Sequence, residues 1–113
     1  MPFLTVNNSG FAICEQKLTL ELMQQLVGNP EEIAFIDAVY HQFSDKSIVI
    51  LVDDDGIRKR LPLVAITKKK IKLVGQLVIV HVIGSDFFHL TQKQVSIVKR
   101  ELTLVLPLTK LGD

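Results

Sequence analysis

Seven consecutive residues, Leu77-Val78-Ile79-Val80-His81-Val82-Ile83, are aliphatic or β-branched apart from one histidine. Gly75 precedes the run and Gly84 ends it, within an apolar stretch from Leu73 to Leu90. A membrane span needs about twenty apolar residues, so this one is too short. Its length and branching suit a strand buried on both faces, which requires a strand on each side and a cover above and below. The rest of the chain is expected to pack on or beside 77–83.

The flanking segments supply what such a strand needs. Phe3 to Val6 and Phe11 to Glu15 are extended runs separated by the turn formers Asn7-Asn8-Ser9-Gly10, a hairpin pattern. Thr19 is placed to cap a helix over 20–27, with Glu21 in its first turn and Leu22, Met23, Leu26 and Val27 on one stripe. Gly28 and Pro30 then stop it. Residues 32–40 read as a strand, with a helix as the alternative because Glu31 and Glu32 follow Pro30, and Ser47 to Val52 as a stronger one. Asp53-Asp54-Asp55-Gly56 follows. An Asp-Gly pair between two extended runs predicts a hairpin, with residues 57–63 returning as the partner strand and Pro62 at its edge.

Lys68-Lys69-Lys70 with Lys72 reads as a basic loop leading to the central strand, and Ser85-Asp86 as a turn before an extended Phe87-Phe88. Thr91 and Gln94 form a capping box for a helix over 92–102, whose apolar face holds Val95, Val98 and Leu102. The segment 103–108 is strand-like and apolar, suited to extending a sheet in this chain or a neighbouring one. Several hairpins with few helices predict one α+β domain over residues 1–113, a mostly antiparallel β-sheet with two short helices.

The order of these features carries a resemblance. A short helix ends in Leu26-Val27-Gly28. An Asp-Gly turn is followed by Leu61-Pro62. Gly75 opens the long apolar strand, Gly84-Ser85-Asp86 turns, and Phe88-His89-Leu90-Thr91 leads into the second helix. Over residues 18–102 the chain resembles the domain of unknown function 3846 family, small proteins of phages, plasmids and bacterial genomes. The resemblance implies a mobile-element or accessory role. It brings no activity and no site residues with it.

Hydrophobic residues make up 48% of the chain, a large share for 113 residues to hide in one core. A homo-oligomer with a buried interface is therefore expected. Cys14 is the single cysteine, so an intrachain disulfide is excluded, and its apolar neighbours Phe11-Ala12-Ile13 point to a buried structural thiol. The N-terminus lacks the charged-then-apolar pattern of a secretory signal. A cytoplasmic location and no membrane association are expected.

Charge is unevenly spread. Residues 1–55 hold nine acids and two bases, whereas 56–113 hold three acids and eleven bases. Arg58, Lys59, Arg60, Lys68, Lys69, Lys70 and Lys72 lie within fifteen residues without an acid between them. On a strand, Arg58 and Arg60 would point one way and Lys59 the other. This cluster is the candidate contact for a nucleic acid, a nucleotide or another anion. A solvated basic edge that discourages strand-to-strand aggregation explains the same pattern. Against nucleic acid, the stretch has no aromatic residue for stacking, and no helix-turn-helix, zinc finger or phosphate loop is visible.

Other chemistry is thinly supported. Asp53-Asp54-Asp55-Gly56 fails the calcium-loop pattern, which would need an oxygen ligand at Leu51 and a glutamate at Pro62. His41, His81 and His89 form no metal-ligand pair at short spacing. A buried or interfacial His81 is expected, and convergence with Asp37 or Asp86 would be needed for acid–base work. No catalytic residue, cofactor or metal is assigned. The expectation is a non-enzymatic interaction protein acting on a protein partner, with nucleic-acid or anion binding as the alternative.

Overall fold

The computed structural model describes residues 3–7, 9–27, 35–56 and 58–105. In chain order they form β1 (Phe3–Asn7), β2 (Gly10–Cys14), α1 (Leu20–Leu26), β3 (Ile36–Val39), β4 (Ile48–Asp53) and β5 (Leu63–Ile66). There follow β6 (Lys72–Val74), β7 (Leu77–Ile83), β8 (Asp86–Phe88), α2 (Gln92–Glu101) and β9 (Thr103–Leu104). The larger sheet runs β2-β1-β7-β4-β3, with β8 folded back on β7. A smaller sheet runs β6-β5-β9, and every pairing in both is antiparallel. The α+β class, the mostly antiparallel pairing and the two helices agree with the sequence pattern.

β7 occupies the central place. It is hydrogen-bonded to β1 on one side and to β4 on the other. Alternate residues of a strand point to opposite faces, and both faces of β7 are covered over Leu77 to Val80, whereas His81 and Val82 are half-buried and Ile83 is exposed. Leu77 and Ile79 join one apolar cluster with Val64, Leu73, Val95 and Val98, under α2 and the smaller sheet. Val78 and Val80 join a second cluster with Phe3, Met23, Val49 and Leu51, under α1. All four of these β7 side chains are fully buried, and each contributes about 1.5–3 kcal/mol of apolar burial.

Both helices start where the sequence places them. Thr19 Oγ1 accepts from the Leu22 amide at 3.1 Å. Thr91 Oγ1 accepts from the Gln94 amide at 3.1 Å, and the Gln94 side chain accepts from the Thr91 amide at 2.9 Å. The side-chain Nε2 of the buried Gln94 also donates to Asp45 and to Ser47, at 3.2 Å each. The capping box thereby ties the start of α2 to the loop that enters β4.

The segment after β4 corrects the expected hairpin. Residues 58–60 form turns rather than a strand, and β4 pairs with β3 and β7 instead. Asp53 sets the turn: its side chain accepts from the Asp55 amide at 2.8 Å, and its carbonyl from the Gly56 amide at 3.1 Å. The Lys59 amide then reaches back to the Asp55 carbonyl at 3.0 Å, as in one turn of helix. A side-chain carbon on Gly56 would come within 2.8 Å of Val74 Cγ2, so this residue must be small for the turn to lie against β6. The Asp-Gly signal marked a turn correctly. Both edges of β4 were already taken, so no return strand could form beside it.

Four smaller differences follow. Lys72 belongs to β6 rather than to a loop, because Val64-Ala65-Ile66 supplies β5 as its partner. The strand expected over 32–40 runs over Ile36–Val39; Gly28, Pro30 and residues 31–34 lie outside the described residues. The strand-like segment 103–108 contributes β9, which joins the smaller sheet through β5, and its remaining residues beyond 105 lie outside the described part. The turn before β8 is Gly84-Ser85, with Asp86 already in the strand. No helix among the described residues is long and apolar enough to cross a membrane.

Candidate functional site

The seven bases singled out in the sequence separate into two groups. Arg58 turns to Asp55, with Nε 2.8 Å from Oδ1 and Nη2 in contact with Oδ2. This pairing holds the Asp55 carboxyl below its ordinary value and raises the guanidinium. Lys59 Nζ lies 2.9 Å from Oδ2 of Asp53, a buried carboxylate. These two bases offset the acids of the preceding turn. Arg60 is exposed on the same turn, at a positive φ of 57°. Lys72 borders a cleft of about 380 Å³ between β4 and β6, whose rim also carries Asp37, Asp54 and Asp55. The strand alternation expected for Arg58, Lys59 and Arg60 is therefore corrected, because the residues sit on turns.

Lys68, Lys69 and Lys70 stand apart from those acids. They occupy the exposed turn between β5 and β6. Thr67 closes it: its amide donates to the Ile71 carbonyl at 2.9 Å, its carbonyl accepts from the Lys70 amide at 2.9 Å, and its Oγ1 accepts from the Ile71 amide at 3.1 Å. The Thr67 hydroxyl also donates to Gln42 at 2.8 Å, anchoring the turn to the body. Lys70 takes a positive φ of 72° to complete the reversal.

Beside this turn lies the C-terminal end of α2. Lys68 Nζ is 3.5 Å from Glu101 Oε1, and Arg100 Nη2 is 3.5 Å from Oε2. Glu101 itself is turned inward, accepting from the Ser44 amide at 2.8 Å and the Ser44 hydroxyl at 2.5 Å. Burial pushes this carboxyl up, but the two Ser44 donors and Lys68 outweigh it, and the net shift is downward. A cleft of about 510 Å³ opens between Thr67, Lys68 and Lys70 on one side and Arg100, Glu101 and Thr103 on the other.

The outward side of α2 extends this basic surface. Val95, Ile97 and Val98 face the core, which leaves Gln92, Lys93, Ser96, Lys99 and Arg100 exposed. None of these is acidic. Lys93 and Lys99 are separated by about 9 Å along the axis at 1.5 Å per residue. Two elements thus carry six exposed cations, and they meet at the cleft bordered by Lys68, Lys70 and Arg100: the β5–β6 turn has Lys68, Lys69 and Lys70, and the outer face of α2 has Lys93, Lys99 and Arg100. The last three were missed in the sequence because they are distant from 58–72. The signal was available, since apolar positions 95, 98 and 102 leave 93, 96, 99 and 100 on the outer face.

The remaining candidates are not assembled into a reactive group. His81 sits in β7, half-buried, with its ring 6.4 Å from that of Phe88. The Ser47 hydroxyl, foremost, and Gln94 hold Asp45 below its ordinary value. His89 stacks on Phe3, and its Nε2 contacts the Gln16 carbonyl at 3.0 Å. Cys14 is half-buried on β2 rather than fully enclosed, because β2 ends the sheet. Among the described residues, no three His, Cys, Asp or Glu side chains are grouped to hold a metal ion.

Comparison with known proteins adds a family and no relative of known activity. No curated protein and no solved structure matches the chain. The family model described as a domain of unknown function, DUF3846, matches residues 1–103. With nearly the whole chain matched, the protein belongs to the domain of unknown function 3846 family.

Proposed function

We propose that the protein is a non-enzymatic binding module whose partner is a nucleic acid, held by its phosphate backbone. The reading rests on one observation. The β5–β6 turn and the outer face of α2 carry three exposed cations each and meet at the cleft of Lys68, Lys70 and Arg100, where the lining acid, Glu101, accepts two hydrogen bonds from Ser44. A row of lysine and arginine ammonium and guanidinium groups neutralises successive phosphates and releases their condensed counterions. Gln92, Ser96, Thr67 and Thr103 add neutral donors of the kind that position a backbone. Such a role fits an accessory protein of a mobile element acting in the cytoplasm.

The test is binding to mixed-sequence duplex DNA at about 50 mM salt, followed by fluorescence anisotropy. Binding is expected, and reversing the charge at Lys68→Glu, Lys69→Glu and Lys70→Glu together should abolish it while the circular dichroism spectrum stays unchanged. No binding of the unaltered protein to duplex or single-stranded DNA or to RNA would remove the proposal.

A second reading, a protein-binding module that also self-associates, has its own support. Leu20 is 61% exposed, Phe35 78% and Ile83 57%, which is a large apolar outlay for solvent. The two readings are compatible, because the apolar residues and the basic face are different residues.

A further inference from the structure

We infer that the protein forms a two-fold dimer in which β2 pairs antiparallel with β2 of a second copy, with Ala12 on the axis. β2 ends the larger sheet, and no described strand pairs with its outer side. In an antiparallel ladder, alternate residues bond the neighbour, so half the N–H and C=O groups of β2 are turned away from β1. An exposed row of this kind templates another strand unless it is protected.

The other open edges carry protection. β3 holds an exposed Asp37, β6 holds Lys72, β8 has three residues including Asp86, and β9 has two residues. β2 differs: Gly10-Phe11-Ala12-Ile13-Cys14 contains neither a charge nor a proline. It is also the longest of these strands.

The occupant is a second copy because the segment is complementary to itself. With Ala12 on the axis, Phe11 meets Ile13 of the second copy, Gly10 meets Cys14, and all five residues pair. Register with β1 puts Phe11 beside Val6 and Ile13 beside Leu4, so both side chains project on the α2 side of the sheet. Phe11 already packs on that core, whereas Ile13 is 57% exposed. Pairing therefore covers Ile13 with the aromatic ring of its neighbour, twice across the axis. The nearest charge, Glu15, would fall opposite Ser9. Moving the axis to Ile13 would instead set Glu15 against Phe11, which disfavours that register. This inference does not rest on the nucleic-acid reading.

Two variants of the full chain test it. Ile13→Lys places a charge at an exposed edge position and should raise the dimer dissociation constant at least about tenfold in sedimentation equilibrium. Ala12→Cys combined with Cys14→Ser brings two thiols together on the axis. Directly opposed antiparallel residues have Cα separations of about 4.5–5.5 Å, inside the range for a disulfide. Mild oxidation should then give a covalent dimer in high yield, whereas Cys14 alone, displaced from the axis, should not. A protein that stays monomeric across the concentration series would overturn the inference. So would an oligomer indifferent to Ile13→Lys, or a dimer that the axial thiols fail to cross-link. The cross-linking arm stands even if Ile13→Lys proves poorly folded.

Discussion

Replacing Lys68, Lys69 and Lys70 together with alanine tests the assignment of the basic face most directly. The β5–β6 turn and α2 expose six cations, and each phosphate neutralised on a duplex contributes about −0.9 to the slope of log K against log salt. The expected slope is about −5, with Glu101 offsetting part of Lys68 and Arg100. Affinity should then fall by about a thousandfold between 50 and 200 mM salt. Removing three of the six contacts should bring the slope to about −3, and near 100 mM salt it should cost roughly a few hundredfold in affinity. Arg58→Ala is the control. That guanidinium is already committed to Asp55, so the slope should change by less than about 0.5. Fluorescence anisotropy at five or so salt concentrations reads all three proteins. A triple variant with an unchanged slope, or an Arg58→Ala protein that loses as much as the triple variant, would refute the division of the cluster into a free and a neutralised half.

Further outcomes concern the central strand, the cap of α2 and the pH dependence of stability. Ile79→Ala, at the fully buried centre of β7, should lower unfolding free energy by about 2–5 kcal/mol in urea melts. Ile83→Ala, at the exposed end of the same strand, should stay within about 0.5 kcal/mol. Thr91→Ala removes the cap of α2 and should cost about 1 kcal/mol; Gln94→Ala should cost about 1–3 kcal/mol, because it also leaves Asp45 and Ser47 without their amide donor. Asp45 and Glu101 both titrate below their ordinary values in the folded state. Their contribution is thus present in full above the unfolded values and is lost as pH falls through the folded ones. Stability should decline below about pH 4, and Glu101→Gln should flatten that decline in acid-unfolding curves.

Strands and helices whose stabilisation is local were readable from the chain. Thr91 and Gln94 satisfy each other's backbone within one turn, so the start of α2 could be placed from two residues. Leu77 to Ile83 has no polar alternation, so burial on both faces was legible before its neighbours were known, and it holds for Leu77 to Val80. Asp53 to Gly56 was different. Whether an Asp-Gly turn reverses into a hairpin or winds on depends on whether the preceding strand has an open edge, and β4 has β3 and β7 on its two sides. The candidate site divides along the same line. Lys68 to Lys70 could be named because they are contiguous. Arg100, about thirty residues further on, meets them only because the end of α2 lies beside the β5–β6 turn.

By itself, the sequence determined the central strand, the first hairpin, the helix starts and the presence of a surplus of base in the second half. Periodicity, capping and turn chemistry act over a few residues, and a few residues suffice to specify them. The tertiary structure decided which strands pair, which bases are neutralised by Asp53 and Asp55, and which stand together in solvent. Those outcomes depend on separations of a few ångströms between residues distant in the chain, and Coulomb energies and hydrogen bonds are decided at that range.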